Sequence, residues 1–340
     1  WKWEANYNMI ISIKSNEKTY EVALNEVNQW CGVNIVRKNK IIRMLEKYFS
    51  KSKYMEYEKK LECDIYTGEE LLGRSYFSVH SVESREQIIS QLKIGKNTLI
   101  TKYILERIST DFESTTDIEL INDILIKVFQ NMNNEILCDF KDLMIDFETN
   151  KLFEIVQESV IYNEKGNNVN YLSTYNLILN YIKLIEKCEG DNGTVKLIII
   201  KNIDHLLSKS EYTKLYNCMK EISKKSDLRF LCTISIEDYC IIEKENIEAI
   251  TIINDEEFIM PPYQRIVEYI ENNYPINIDV EEEWLIYNLR RCINRIGNRD
   301  ASSEIPSEVI MKILNKSLQI SKVPKYKANN IELNFINAIN

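Results

Sequence analysis

The sequence predicts an α/β fold, and three observations carry the prediction. Residues 195–200, Val-Lys-Leu-Ile-Ile-Ile, form a short apolar run that suits a parallel strand buried on both faces. Residues 27–31 can form a second strand, after which apolar side chains recur at 41, 42, 45, 48 and 49, one face of a helix. Between that strand and that helix lies Cys31-Gly32-Val33-Asn34-Ile35-Val36-Arg37-Lys38-Asn39. It keeps the first glycine and the lysine of the phosphate-binding pattern G-x-x-x-x-G-K-[ST], at 32 and 38. Strand, loop, helix is the context in which backbone N–H groups of that pattern curl around phosphate oxygens.

Both halves of such a site are damaged. Arg37 replaces the second glycine, and Asn39 replaces the hydroxyl residue that would hold Mg2+. The run at 195–200 leads into Lys201 and Asn202 where Asp and Glu are needed, while Asp204 comes two residues later and His205 follows it. Without a carboxylate at the strand end, nothing obvious holds the metal or orients an attacking water. The reading is a degenerate P-loop NTPase-like domain, not an enzyme, with Gly32, Lys38 and Asp204 as the remains of its nucleotide site and ATP not expected as a cofactor. An ordinary strand-to-helix connection accounts for residues 31–39 equally well. A functional P-loop NTPase acting on or with DNA, its missing acid supplied by a partner chain, also stays open.

In chain order, residues 9–14 and 19–24 read as short strands around the polar turn at 15–18. Residues 76–80 are another strand candidate. From 84 to 190 the pattern is helical and polar, with Gly190 as a helix stop. Strand chemistry returns at 195 and recurs at 228–235 and 249–253, around a helix that turns Tyr212, Leu215, Tyr216, Met219 and Ile222 inward. Beyond Pro261-Pro262 the chain is helical, with one helix from Trp284 to about Gly297 and another after Pro306. The expected organisation is a head domain made of 1–83 and 193–255, an inserted helical leg domain at 84–192, and a helical C-terminal extension at 256–340.

Composition narrows the class. The chain has 340 residues, 44% of them hydrophobic, enough for sizeable cores. Eight cysteines are scattered without a C-x-x-C pair, so they read as reduced thiols of a cytoplasmic protein and not as a zinc site or disulfide frame. No apolar run approaches the ~18 residues of a membrane span, and no secretory pattern opens the chain. Net charge is −9, which argues against nucleic acid until its distribution is considered. Residues 37–60 carry nine basic residues against three acids, and Lys40, Arg43 and Lys47 avoid the apolar face of their helix. Such a stripe is either a solvated helix surface or a footprint for phosphate backbones. Tyr48, Tyr54 and Tyr57 are interleaved with it and could stack bases. Gly95-Lys96-Asn97-Thr98 has helical flanks and reads as a helix connection, while His80 and His205 fit no metal spacing. A nuclease would need acids and a lysine at metal-site geometry, and no D…E-x-K arrangement lies beside a strand.

Taken in sequence, these features resemble a family. Residues 197–204 with their sequel Ser208-Lys209-Ser210-Glu211-Tyr212, and 92–99 leading into Tyr103-Ile104, are similar to the ring-forming DNA-end-binding accessory proteins of type II-A CRISPR adaptation, the Csn-type spacer-acquisition proteins in their long form. The resemblance covers roughly residues 7–255, and the remainder by length and helical character alone. It implies a non-enzymatic spacer-acquisition factor in antiviral defense: a homotetramer whose basic central channel holds double-stranded DNA by its backbone and loads at a free end. The implied partners are the CRISPR integrase complex and the type II effector nuclease, with no membrane. DNA contacts would come from Arg37, Lys38, Lys40, Arg43, Lys47, Lys51, Lys53, Lys93, Lys96 and Lys102. The resemblance also implies calcium, which takes several oxygen ligands. It would place the site near Asp139, Asp142, Asp146 and Glu148, of which Asp142, Asp146 and Glu148 are the candidate ligands. A solvated acidic surface is the competing reading of those residues.

Overall fold

A computed structural model of the chain describes residues 9–16, 18–135, 156–188, 194–274, 279–298 and 305–319. The chain divides into two compact units, Trp1–Glu83 with Gly190–Asn340, and Ser84–Glu189.

The first unit is built on two sheets. β1 (Ile10–Ser15) and β2 (Thr19–Ala23) form the hairpin, and β4 (Cys63–Thr67) with β5 (Glu70–Leu71) extends it into an antiparallel sheet of order β2-β1-β4-β5. Gly68, at positive φ, makes the tight turn between β4 and β5. The larger sheet has the order β10-β9-β3-β8-β7-β6, with β3 (Val27–Cys31), β6 (Phe77–Val82), β7 (Val195–Ile200), β8 (Leu228–Thr233), β9 (Ile250–Ile253) and β10 (Glu257–Ile259). Five of these strands run parallel, and β10 closes one edge antiparallel to β9. β3 sits in the middle, flanked by β9 and β8, while β7 is one strand further out. This is a mixed α/β fold with a P-loop-like central sheet. β10 belongs to this sheet although the sequence put residues 256–340 in a separate extension, because its Glu257-Phe258-Ile259 is too short to show a strand pattern.

Burial explains the strands. All five residues of β3 are buried, including two polar ones. Asn28 and Gln29 are tolerated there because each amide is paired: Asn28 donates to the carbonyls of Asn25 and Phe230 (2.9 Å each), and Gln29 bridges Ile241 and the Tyr212 hydroxyl. α1 (Ile35–Phe49) follows β3, capped at its start by Asn34, whose side chain accepts the Arg37 N–H. It packs Ile41, Ile42, Met44, Leu45, Tyr48 and Phe49 into a core shared with Trp30, Phe77, Leu197 and Leu231. α6 (Ile203–Leu206) and α7 (Lys209–Ser223) follow β7, the latter opened by a capping box of Ser208 and Glu211. In the C-terminal part of this unit, α8 (Tyr263–Asn273), α9 (Glu282–Cys292) and α10 (Ile305–Ser317) pack on one another through Ile266, Ile270, Leu285, Leu289, Ile310 and Leu314.

The second unit is helical. α2 (Arg85–Leu92) and α3 (Leu99–Thr110) pack on α5 (Thr174–Lys187), whose inward face is Leu177, Ile178, Tyr181, Ile182, Leu184 and Ile185. α4 (Phe112–Glu135) is a 24-residue helix separated from α3 by one extended residue, Asp111. The Gly95–Thr98 segment is a helix connection, its turn closed by the Gly95 N–H on Thr101 Oγ1 (3.0 Å).

Candidate functional site

The carboxyl ends of β3, β7, β8 and β9 converge where an α/β sheet of this kind holds a ligand, and there the two halves of the degenerate motif meet. Gly32 leaves β3 at φ +115°, and a Cβ at this position would lie 2.2 Å from the Ile253 carbonyl oxygen. Only glycine permits that approach. The lysine of the motif does not point outward. Lys38 is 1% exposed, and its ammonium donates to the Gly32 carbonyl, the Ile234 carbonyl and Ser235 Oγ, each at 2.8 Å. Burial holds its pKa down at about 8, against the opposing pull of Cys31 and Asp204. With three protons given to three protein oxygens, it has none left for a phosphate.

Asp204 reaches the same place from the other half. Its Oδ2 accepts the backbone N–H groups of Ser235 and Ile236, both at 2.6 Å, so Lys38 and Asp204 hold the segment after β8 from two sides. Asn202, in the left-handed conformation, makes the turn that brings Asp204 there, and its N–H donates to Thr233 Oγ1 (2.7 Å). Lys201 stands where a metal-binding acid would stand, 3.0 Å from a Glu46 carboxylate oxygen and 3.8 Å from one of Glu83.

The first two N–H groups of the loop are also taken. The Gly32 N–H donates to Asn294 Oδ1 (2.9 Å), and the Val33 N–H donates to Asn254 Oδ1 (2.8 Å). Asn254 donates in turn to the carbonyls of Asn294 (3.0 Å) and Ile296 (2.7 Å), and Asn294 donates to the Ile236 carbonyl (2.7 Å). Neither asparagine belongs to a motif, and the sequence reading missed both. The one signal available was Asn254 itself, a polar residue directly after the apolar pair Ile252-Ile253. Arg37 was expected to obstruct the loop as a replacement for glycine. It instead turns away, its guanidinium on the Asp255 carbonyl and 2.5 Å from Glu257.

The basic residues divide. Lys38, expected among the DNA contacts, is corrected by its burial: the chain's own oxygens consume its donors. Arg37 is engaged with Glu257, and Lys47 with Glu58 at 2.6 Å. Lys40 is half-buried, its ammonium 6.0 Å from the Tyr20 ring centre. Arg43, Lys51 and Lys53 are exposed in the first unit, as are Lys93, Lys96 and Lys102 in the second. Of the interleaved tyrosines, Tyr48 is buried with its hydroxyl on the Leu72 carbonyl, Tyr54 lies under Arg74 and Lys47, and Tyr57 is exposed. His80 is half-buried beside Ser78, and burial with the nearby Lys196 lowers its pKa to about 4. Asp139, Asp142, Asp146 and Glu148 lie outside the described residues. Among the described residues no cluster of three or more His, Cys, Asp or Glu could hold a metal ion, the cysteines are free thiols, and no helix is long and apolar enough to cross a membrane.

These features define a mixed α/β protein in which the loop after the central strand is filled by the chain's own side chains. Its fold is that of the Stu0660 protein of Streptococcus thermophilus, with a TM-score of 0.78 at 20% identity over 98% of this chain and 100% of that one. An ATP-binding cassette of an ABC transporter in its ADP conformation, MJ1267, and cbiO1 from Clostridium perfringens overlap more loosely. Their TM-scores are 0.37 and 0.40, at 10% and 8% identity, over 73% and 79% of this chain and 88% and 97% of theirs. No protein-family model and no curated protein matches the sequence.

Proposed function

We propose that this chain is a non-enzymatic CRISPR adaptation factor, a homotetrameric ring that binds the ends of double-stranded DNA through the phosphate backbone. The observation that carries the reading is the loop itself: the Gly32 and Val33 N–H groups and all three protons of the Lys38 ammonium, donors that a P-loop would offer to phosphate, end on atoms of this chain. A P-loop-like fold kept in this state serves as a scaffold. The fold shared with Stu0660, a CRISPR-associated protein, over the full length of that chain supports the same assignment. The family resemblance of residues 92–104 and 197–212 supplies the DNA, the ring, the calcium and the partners, an integrase complex and a type II effector nuclease. Arg43, Lys51 and Lys53 on one unit and Lys93, Lys96 and Lys102 on the other are exposed and are the proposed backbone contacts. A chain of net charge −9 holds DNA tightly when symmetry gathers such patches around one axis.

A gel-shift comparison of linear and relaxed closed circular duplex, with and without Ca2+, tests this. Linear DNA should bind far more tightly, with affinity falling steeply with salt, and the triple change Arg43→Glu, Lys51→Glu, Lys53→Glu should weaken binding to every sequence alike. Equal affinity for circles and linear duplex would refute the ring. ATP turnover that disappears in Lys38→Ala would refute the non-enzymatic assignment.

A further inference from the structure

The two amides that fill the loop come from separate places: Asn254 from the end of β9, and Asn294 from the turn of 3-10 helix Ile293–Arg295 that follows α9. Asn294 is fully buried, and its polar groups are spent on three strand ends at once. Oδ1 takes the N–H of Gly32 after β3, Nδ2 donates to the Ile236 carbonyl after β8, and its own carbonyl accepts from Asn254 after β9. An amide oxygen is the neutral counterpart of a phosphate oxygen at this position. It suits a loop whose only lysine is already committed, since all three N–H donors of that ammonium are spent on neutral oxygens and none remains to hold an anion. The segment bearing Asn294 is held down on both sides. Arg295 pairs with Glu237, Lys244 pairs with Glu282 at 2.5 Å, and the Asp238 N–H donates to the Arg290 carbonyl (3.2 Å).

We propose that residues 282–296 act in cis as a built-in ligand of the degenerate loop, a latch that occupies the loop from within and joins the ends of β3, β8 and β9. The latch does not depend on the proposed DNA activity, and its test is made without DNA, so either idea can fail while the other stands.

Hydrogen exchange of the full-length protein, read at peptides covering 30–36 and 233–237, decides it. In the wild type the Gly32 and Val33 amides should be protected like the buried strand before them. Asn294→Leu, which keeps bulk and removes both amide functions, should accelerate exchange at Gly32 by about tenfold, the factor expected for one buried hydrogen bond of ordinary strength, and should lower the melting temperature. Asn294→Asp keeps an acceptor for Gly32 and should restore its protection while peptide 233–237 stays loosened. Millimolar pyrophosphate with Mg2+ should not stabilise the wild type. Fast wild-type exchange at Gly32 and Val33, unchanged exchange in Asn294→Leu, or wild-type stabilisation by pyrophosphate would each overturn the latch. If Asn294→Leu does not fold, the two wild-type measurements decide.

Discussion

α1 and α4 are both amphipathic, and they treat their apolar faces in opposite ways. α1 drives six apolar side chains into the core beneath the central sheet, whereas α4 leaves Leu120, Ile121, Ile124 and Val128 exposed along one side. Scattered exposed apolar residues are ordinary, but a row at helical spacing is a contiguous apolar surface of the kind that marks an interaction site. The head therefore completes its core within one chain, whereas among the described residues of the inserted unit this row on the long helix stays exposed. An uncovered row of this kind fits the homo-oligomer proposed above.

The comparison breaks or sharpens by mutation. Ile42→Ala should have the largest effect, a loss of about 2–5 kcal/mol measured by denaturant unfolding, because it opens a cavity in a fully packed site. Gly32→Ala should follow at roughly 3 kcal/mol, since its Cβ meets the Ile253 carbonyl and its backbone sits at positive φ. A melting temperature unchanged by either would mean that the head is not closed as described. The third effect depends on pH. Lys38 titrates near 8 when folded and at its ordinary 10.5 when unfolded, so between these values the unfolded chain holds more protons. The stability contributed by this group therefore rises with pH across that window. The gap between wild type and Lys38→Met should move in favour of wild type from pH 8 to pH 10.5 in chemical denaturation, and a constant gap would place the lysine in solvent. The smallest effect belongs to Ile124→Ser, within about 0.5 kcal/mol as expected for a surface change, but with a lower mass by light scattering. A destabilisation as large as that of Ile42→Ala would erase the contrast between the two helices.

How far the sequence could be read follows the same physics. The apolar run of β7 and the helical spacing of α1 were legible because burial on one or both faces leaves a period. β4 and β5 were not, since Cys63 and Ile65 turn inward from a charged segment too short to show alternation. At the site, Gly32, Lys38 and Asp204 could be named from their motif positions. Their roles could not, because sequence does not say whether a donor faces a ligand or its own backbone. Asn254 and Asn294 lie 221 and 262 residues from their loop partners, and asparagine at such a distance has no periodicity to betray it.

The pairing of Lys201 bears on whether hydrolysis could ever return. Replacing Lys201 by aspartate would restore the lost acid by sequence and would also set a third carboxylate beside Glu46 and Glu83, with their shared cation gone. Like charges at that spacing oppose folding before any metal could arrive. A path back would need the lysine, its two acidic neighbours and the two asparagines filling the loop to change together, since Lys201→Asp alone would be less stable than the present protein.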